Sequence, residues 1–314
     1  MNVESMSHSG PSYSFREFLR RLVNNEALLG ILFVLPSFIG FCIFYAYPAG
    51  RSVYISLLDW NLLTPAKYVG LENYQNLYHD ERFWDSLWIT LKYVLWNIPL
   101  QTALAIMLAV LIERSRNSSI LRAIIILPWL VPGVVVALLW LWMLDPSLGI
   151  VDSFLKGIGL SRQPFLGSPK QAIQAIAGIN IWRFTGYTAI LFFAGLKGIP
   201  KSLYEAAAID GAGAFRQFRS ITLPLLRPVT VFVLVTSVIG SFQVFDVVAV
   251  TNGGGPAGST RVVLYYIYEQ IFARRIRMGA ATAASVVLFV ILIGITLLQM
   301  RFLRAGQSDL ADYS

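Results

Sequence analysis

Six stretches of this chain stay apolar for twenty residues or more: roughly 29–49, 87–112, 120–144, 172–195, 229–250 and 279–303. About 20 such residues, coiled as helix, are what it takes to cross about 30 Å of hydrocarbon. Backbone polar groups in lipid must be satisfied within the segment itself, which leaves helices or closed barrels as the available spans. The recurring Gly, Pro and aromatic residues inside these stretches are tolerated in membrane helices. Only 13% of residues are charged and 56% are hydrophobic, against about 25% charge in a soluble domain. The fold class expected is therefore all-α and integral to a membrane, with six transmembrane helices.

The remaining composition narrows the function. A net charge of +8 forms no basic stripe with interleaved aromatics apart from the spans, so basic loops beside a bilayer explain it and no nucleic-acid partner is expected. Cys42 lies inside the first span, so no disulfide framework is available. The two histidines, His8 and His79, are too few, with one cysteine, for a structural zinc site. The polar lead with Arg16, Arg20 and Arg21 is longer than the basic region of a cleaved signal peptide. It is read as a retained cytoplasmic tail, 1–28, followed by a transmembrane domain, 29–303, and a second tail, 304–314. With both termini inside, thirteen Lys and Arg fall on inner segments and ten on outer loops. That bias is in the direction of the positive-inside rule, although the cluster around Arg274–Arg277 opposes it.

The segment 200–228 is polar and helix-prone between two hydrophobic spans. Ser202 and Glu205 have capping-box spacing. Ala206–Ala208 favour helix strongly, and Gly211 and Gly213 are expected to break it through left-handed backbone. A second helix then carries Phe215 and Phe218 on one face, and Pro224 and Pro228 are expected to stop it before the fifth span. Taken by itself, this could be a plain interhelical loop with Glu205 as a cap.

The run Glu205-Ala206-Ala207, Asp210-Gly211-Ala212, then Ile221-Thr222-Leu223-Pro224, resembles the cytoplasmic EAA loop of bacterial ATP-binding-cassette (ABC) importer permeases. Tyr47-Pro48, Trp60-Asn61, Gly70-Leu71-Glu72-Asn73-Tyr74, Phe83-Trp84, Leu127-Pro128 and Asn252-Gly253-Gly254 extend the resemblance to the carbohydrate importers. More narrowly, they resemble maltose- and glycerol-phosphate-type subunits. Three glycines precede Pro256 where the family usually shows two.

This resemblance implies a type I importer architecture in which Glu205, Ala206, Ala207, Asp210, Gly211, Ala212, Phe215, Ile221, Leu223 and Pro224 form a coupling helix docked on an ATPase. It implies a location in the bacterial cytoplasmic membrane. The implied partners are a second, different permease subunit, two ATPase subunits that bind ATP and Mg, and an external substrate-binding protein, with no cofactor held by this chain. The implied function is ATP-driven uptake of a sugar or oligosaccharide by alternating access. Glycerol phosphate or another polyol is the alternative solute.

Polar side chains inside spans are the candidates for solute contact, since they are costly in hydrocarbon. Thr236, Gly240 and Gln243 share a helical face in span five, and Asp246 is expected to continue that stripe outward. Arg183 and Tyr187, four apart, share a face of span four. Alignment with maltose-type permeases places Arg183, Phe184, Tyr187, Thr236, Gly240 and Gln243 at sugar-contacting positions, with Arg183 replacing a usual apolar residue. The competing reading for the span-five groups is interhelical hydrogen bonding. A central arginine costs about 2.5–3.5 kcal/mol on insertion scales, so it needs a partner: Asp246, a carbonyl or an anionic solute. No phosphate-binding GxxxxGK[ST] loop is present, so ATP hydrolysis is assigned to another chain. Ion-coupled transport would call for intramembrane acidic residues in inverted halves, for which Asp246 is the one candidate. A nucleophile–base set for membrane-embedded catalysis is not evident, and the chain is not expected to be an enzyme.

Overall fold

The computed structural model describes residues 26–272 and 276–303, so most of the two tails and part of the Arg274–Arg277 cluster lie outside the described residues. Backbone packing separates the chain into a unit ending at Tyr54 and a unit running from Ile55 onward.

In the first unit α1 (Glu26–Phe41) passes through a π turn at Cys42–Ala46 into α2 (Tyr47–Ile55). Over Leu29–Ile55 the helix is long and apolar enough to cross a bilayer, and none of its most apolar window is buried by protein.

The second unit opens with a two-stranded hairpin, Leu58 opposite Tyr68 and Asp59 opposite Lys67. A short helix, α3 (Glu72–Tyr78), leads to α4 (Glu81–Arg114), 34 residues long. Asp80 starts α4 by accepting the Arg82 N–H at 2.9 Å. Its other oxygen takes the Tyr266 hydroxyl at 2.8 Å. Burial, and then that bond, hold the Tyr266 phenol above its ordinary range, so it remains a donor.

The third expected span, 120–144, is two helices, α5 (Ser118–Leu130) and α6 (Gly133–Met143), meeting at 91°. The cause is Pro132, which removes an N–H and forces Val131 before it into extended backbone (φ −74°, ψ 132°). The stretch 145–171 folds as α7 (Ile150–Gly157) and a 3₁₀ turn at Phe165–Gly167, as short elements between its Pro and Gly residues.

The fourth span is α8 (Ala172–Lys197), 26 residues. Gln174, Asn180, Arg183 and Thr185 dilute its apolar character, and it falls short of the hydropathy of Leu29–Ile55, Glu81–Arg114, Arg227–Thr251 and Met278–Phe302. It compensates by packing: buried residues run along its length, from Ala172 to Leu196. Small residues set the distances, as membrane helices without a hydrophobic drive to associate require. A side chain at Gly186 would strike the Ile125 carbonyl, and one at Gly195 would meet Val229 and Leu226.

After α8 come α9 (Lys201–Ile209), α10 (Ala214–Gln217), a π turn at Phe218–Thr222 and α11 (Leu223–Leu225). Span five is α12 (Arg227–Phe242), a break at 243–245, and α13 (Asp246–Thr251). A further helix, α14 (Val263–Phe272), and the last span, α15 (Met278–Leu303), complete the unit. Two core clusters form along α4 and α8. One joins Tyr93, Ile98, Ile176, Ile179, Val248, Val263 and Ala284. The other joins Ala105, Ala109, Ala189, Phe192, Leu226 and Val233.

Candidate functional site

Two places bring polar groups together: a half-open pocket among α4, α8 and α12, and the loop 200–228.

The pocket has a volume of about 170 Å³. Its α4 wall is Asn97 and Gln101, both buried. Asn97 donates to Ser241 Oγ at 3.0 Å and accepts from Asn180 Nδ2 at 3.0 Å, tying α4, α8 and α12 together. Gln101 donates to Thr188 Oγ1 at 3.0 Å. These bonds hold the wall rigid and leave the Gln101 and Asn180 carbonyl oxygens without protein partners among the described residues.

Phe184 and Tyr187 form the aromatic side, with Trp129 stacked on Tyr187 at 4.8 Å and 13° between planes. Thr236 and Gly240 line the third side from α12. The Thr236 hydroxyl bonds the Phe232 carbonyl of its own helix at 2.8 Å, not a neighbouring helix, so its lone pairs still face the pocket. Nothing lies within 4 Å of where a Gly240 side chain would stand, which keeps that wall open. Flat apolar rings with amide and hydroxyl groups beside them suit a polyhydroxylated solute, whose ring faces stack while its hydroxyls pair.

Of the residues singled out in the sequence, Phe184, Tyr187, Thr236 and Gly240 meet here. Gln243 and Asp246 do not, because the helix ends at Phe242 and restarts at Asp246, so the expected stripe is interrupted at its outer end. Arg183 stands just outside the pocket, its guanidinium 5.1 Å from the Phe184 ring centre, and donates to the Val131 carbonyl at 3.1 Å. The sequence reading passed over Asn97, Gln101, Asn180, Thr188 and Ser241. The i, i+4 amide pair in an apolar span was a usable signal for the first two; the others show only when three helices are brought together.

The loop folds as two limbs around a glycine. Gly211 has φ +75°. It closes α9 with two bonds, Ala212 N–H to the Ala207 carbonyl at 2.8 Å and Gly211 N–H to the Ala208 carbonyl at 3.0 Å, a Schellman closure. The Asp-Gly-Ala segment is thus a helix stop whose central residue must adopt left-handed backbone.

Three local expectations are corrected. Residue 200, not Ser202, precedes the first helical turn, so Ser202 makes no cap. Gly213 is extended, with φ −66° and ψ 166°, not left-handed. Pro224 and Pro228 sit in the first turns of α11 and α12, where a missing N–H costs nothing, so they begin helices instead of ending one. A π turn immediately before Pro224 lets the helical path continue through it.

The limbs are braced by Tyr204 Oη to Thr222 Oγ1 at 2.9 Å and Gln217 Nε2 to the Ala212 carbonyl at 3.0 Å. Glu205, Ala206 and Asp210 are exposed. Ile209 and Phe215 are 88% and 76% exposed, an apolar tip on an otherwise polar loop. Ile209 was not singled out in the sequence, yet it is the more exposed of the two.

A bundle of membrane-crossing helices with a braced loop between two of them and a polar pocket between helices is the build of a membrane transport component. Residues 101–305 match the family described as binding-protein-dependent transport system inner membrane component, and the chain belongs to that family. It is similar to the trehalose/maltose transport system permease protein of Thermococcus litoralis, 34% identical over 90% of this chain and 95% of that one. It is similar also to the sn-glycerol-3-phosphate transport system permease protein of Yersinia enterocolitica, 35% identical over 87% and 93%. Among solved structures, a bacterial alginate ABC transporter in complex with an alginate pentasaccharide-bound periplasmic protein matches 93% of this chain and 99% of its own, with a TM-score of 0.78 and 26% identity. The chain is a multi-pass ABC importer permease, a transport component and not an enzyme.

Proposed function

We propose that this chain forms half of the pathway for a carbohydrate or phosphorylated polyol, delivered by an external binding protein and moved by ATP hydrolysis on partner subunits. The pocket of Asn97, Gln101, Phe184, Tyr187 and Thr236 carries the reading, because it offers stacking faces and hydroxyl-pairing groups between spans. Its relatives fit it: one is a trehalose/maltose transport permease, one an sn-glycerol-3-phosphate transport permease and one belongs to an importer of the acidic polysaccharide alginate.

The second half of the pathway belongs to a different permease subunit. The loop, through Glu205, Asp210, Ile209 and Phe215, docks in a groove on one of two ATPase subunits that bind ATP and Mg. Closure of the ATPases then rocks the helices between outward- and inward-open states. The tails 1–28 and 304–314 and the loop lie in the cytoplasm, flanking the transmembrane domain 29–303. Arg183, Gln243 and Asp246 guard the outer approach to the pocket, and Gly211, Ile221, Leu223 and Pro224 shape the docked loop.

The test is to tag the chain, solubilise its native membranes mildly and identify what co-purifies. A second permease and an ATPase, both lost with Glu205→Lys, are the expected result. Recovery of the chain alone from membranes where it is functional would overturn the reading.

A further inference from the structure

Arg183 is the one charged side chain at the edge of the pocket, and its surroundings are unusual. Its Nη2 is satisfied by the carbonyl of Val131, in the break of the third span. Its Nε is buried with no hydrogen-bond partner. Its Nη1 comes to 2.9 Å from the position a side chain would take at Gly133, and the Asp246 carboxylate comes closer still to the same position. No side chain fits there, so Gly133 keeps open a gap bordered by a guanidinium and a carboxylate. The pair is not closed: among the described residues the ion pairs are Lys197–Glu113 and Arg261–Glu269. Asp246 is exposed. The guanidinium lies against Phe184, which lines the pocket itself.

A guanidinium is a planar fork whose parallel N–H groups match a carboxylate or phosphate. With Nη2 given to a carbonyl and Nε buried, Nη1 is the donor left at the gap, beside an accessible carboxylate. We propose that Arg183 reads an anionic group on the solute, with Asp246 as the internal anion it competes with, so that the solute is an acidic saccharide or a phosphorylated polyol. The inference rests on the pocket being the solute pathway, and it narrows that reading to one charge class.

The test uses the purified complex of this chain with its permease and ATPase partners in nanodiscs. Saturation-transfer NMR is read with two matched pairs, methyl glucoside against methyl glucuronide and glycerol against sn-glycerol 3-phosphate. The wild type is expected to bind at least one charged member about tenfold or more tighter than its neutral counterpart, the scale of one lost charge-assisted bond. Arg183→Gln removes that preference, and Arg183→Lys, which keeps charge but not the fork, restores part of it. Asp246→Asn strengthens binding of the charged member by removing its competitor. Equal binding of neutral and charged members in the wild type overturns the inference while leaving the pathway reading intact. So does an Asp246→Asn complex whose preference is unchanged, which decides the matter even if Arg183→Gln fails to assemble. Absence of binding by all four probes in the wild type overturns the pathway reading, and this inference with it.

Discussion

The loop at 200–228 and the pocket among α4, α8 and α12 are built by opposite strategies. The loop holds its shape with bonds between near neighbours: Ala212 to Ala207, Gly211 to Ala208, Gln217 to Ala212. Two apolar side chains at its tip, Ile209 and Phe215, project outward, while Leu226 is buried. The pocket depends on bonds spanning 83 to 144 residues, Asn97 to Asn180 and Asn97 to Ser241, and turns its polar groups inward. An exposed loop of this kind can be specified locally. A cavity between spans needs several helices at once, and small residues such as Gly186 to bring them close.

The sharpest way to break the contrast is at the loop's two glycines. Each has open space, with no atom within 4 Å, where a side chain would begin, yet Gly211 is left-handed and Gly213 is not. Gly211→Val is expected to reduce uptake to background with the protein still inserted, since a β-branched residue at positive φ strains the turn. Gly213→Ala is expected to stay within about twofold of wild type, the range of an unstrained surface change. Uptake assays on matched membrane levels decide it, and similar losses in both would show that space rather than backbone conformation governs the turn.

In the pocket, Thr236→Val removes a hydroxyl whose protein bond is to its own helix. Solute affinity is expected to fall about tenfold, one hydrogen bond's worth, with the melting temperature unchanged. A lowered melting temperature with unaltered affinity would make Thr236 structural instead. Asn97→Leu should do the reverse, stranding Asn180 and Ser241 and costing about 1 kcal/mol, or about 2–4 °C in melting temperature.

The smallest expected difference is within the loop. Tyr204→Phe loses the bond to Thr222, at about 1 kcal/mol. Ser202→Ala, at a position that makes no cap, should stay within about 0.5 kcal/mol. Thermal unfolding of the purified complex separates the two, and an equal or larger loss for Ser202→Ala would restore the capping box.

The same contrast decides what could be read before any fold was known. Five of the six spans follow from apolar length, and α8 was found despite its Asn180 and Arg183 because the run around them is long enough. The bend in the third span was written in Pro132, while the close approach of α8 at Gly186 to Ile125 shows only once both helices are placed. The helix stop at Gly211 was legible since its chemistry is confined to six residues. Ser202 and Gly213 were misjudged because propensity gives what a residue can do, and the chain entering from Pro200 sets the register first. Helical spacing within one span found Thr236 with Gly240 in the pocket, and Tyr187 in it with Arg183 at its edge. It could not find Asn180, Thr188 or Ser241, whose roles exist only across helices, nor foresee that a break at 243–245 would carry Asp246 off the stripe and toward Gly133.

The proposed coupling, in which ATP hydrolysis reaches the pocket through the loop, is best probed in proteoliposomes holding the complete complex, with ATP trapped on the loop side and binding protein plus labelled solute on the other. Uptake should require ATP, persist when a protonophore and sodium ionophore collapse ion gradients, and disappear in the Glu205→Lys complex. Uptake that continues without ATP and stops with the ionophores would contradict the account and make this an ion-coupled transporter.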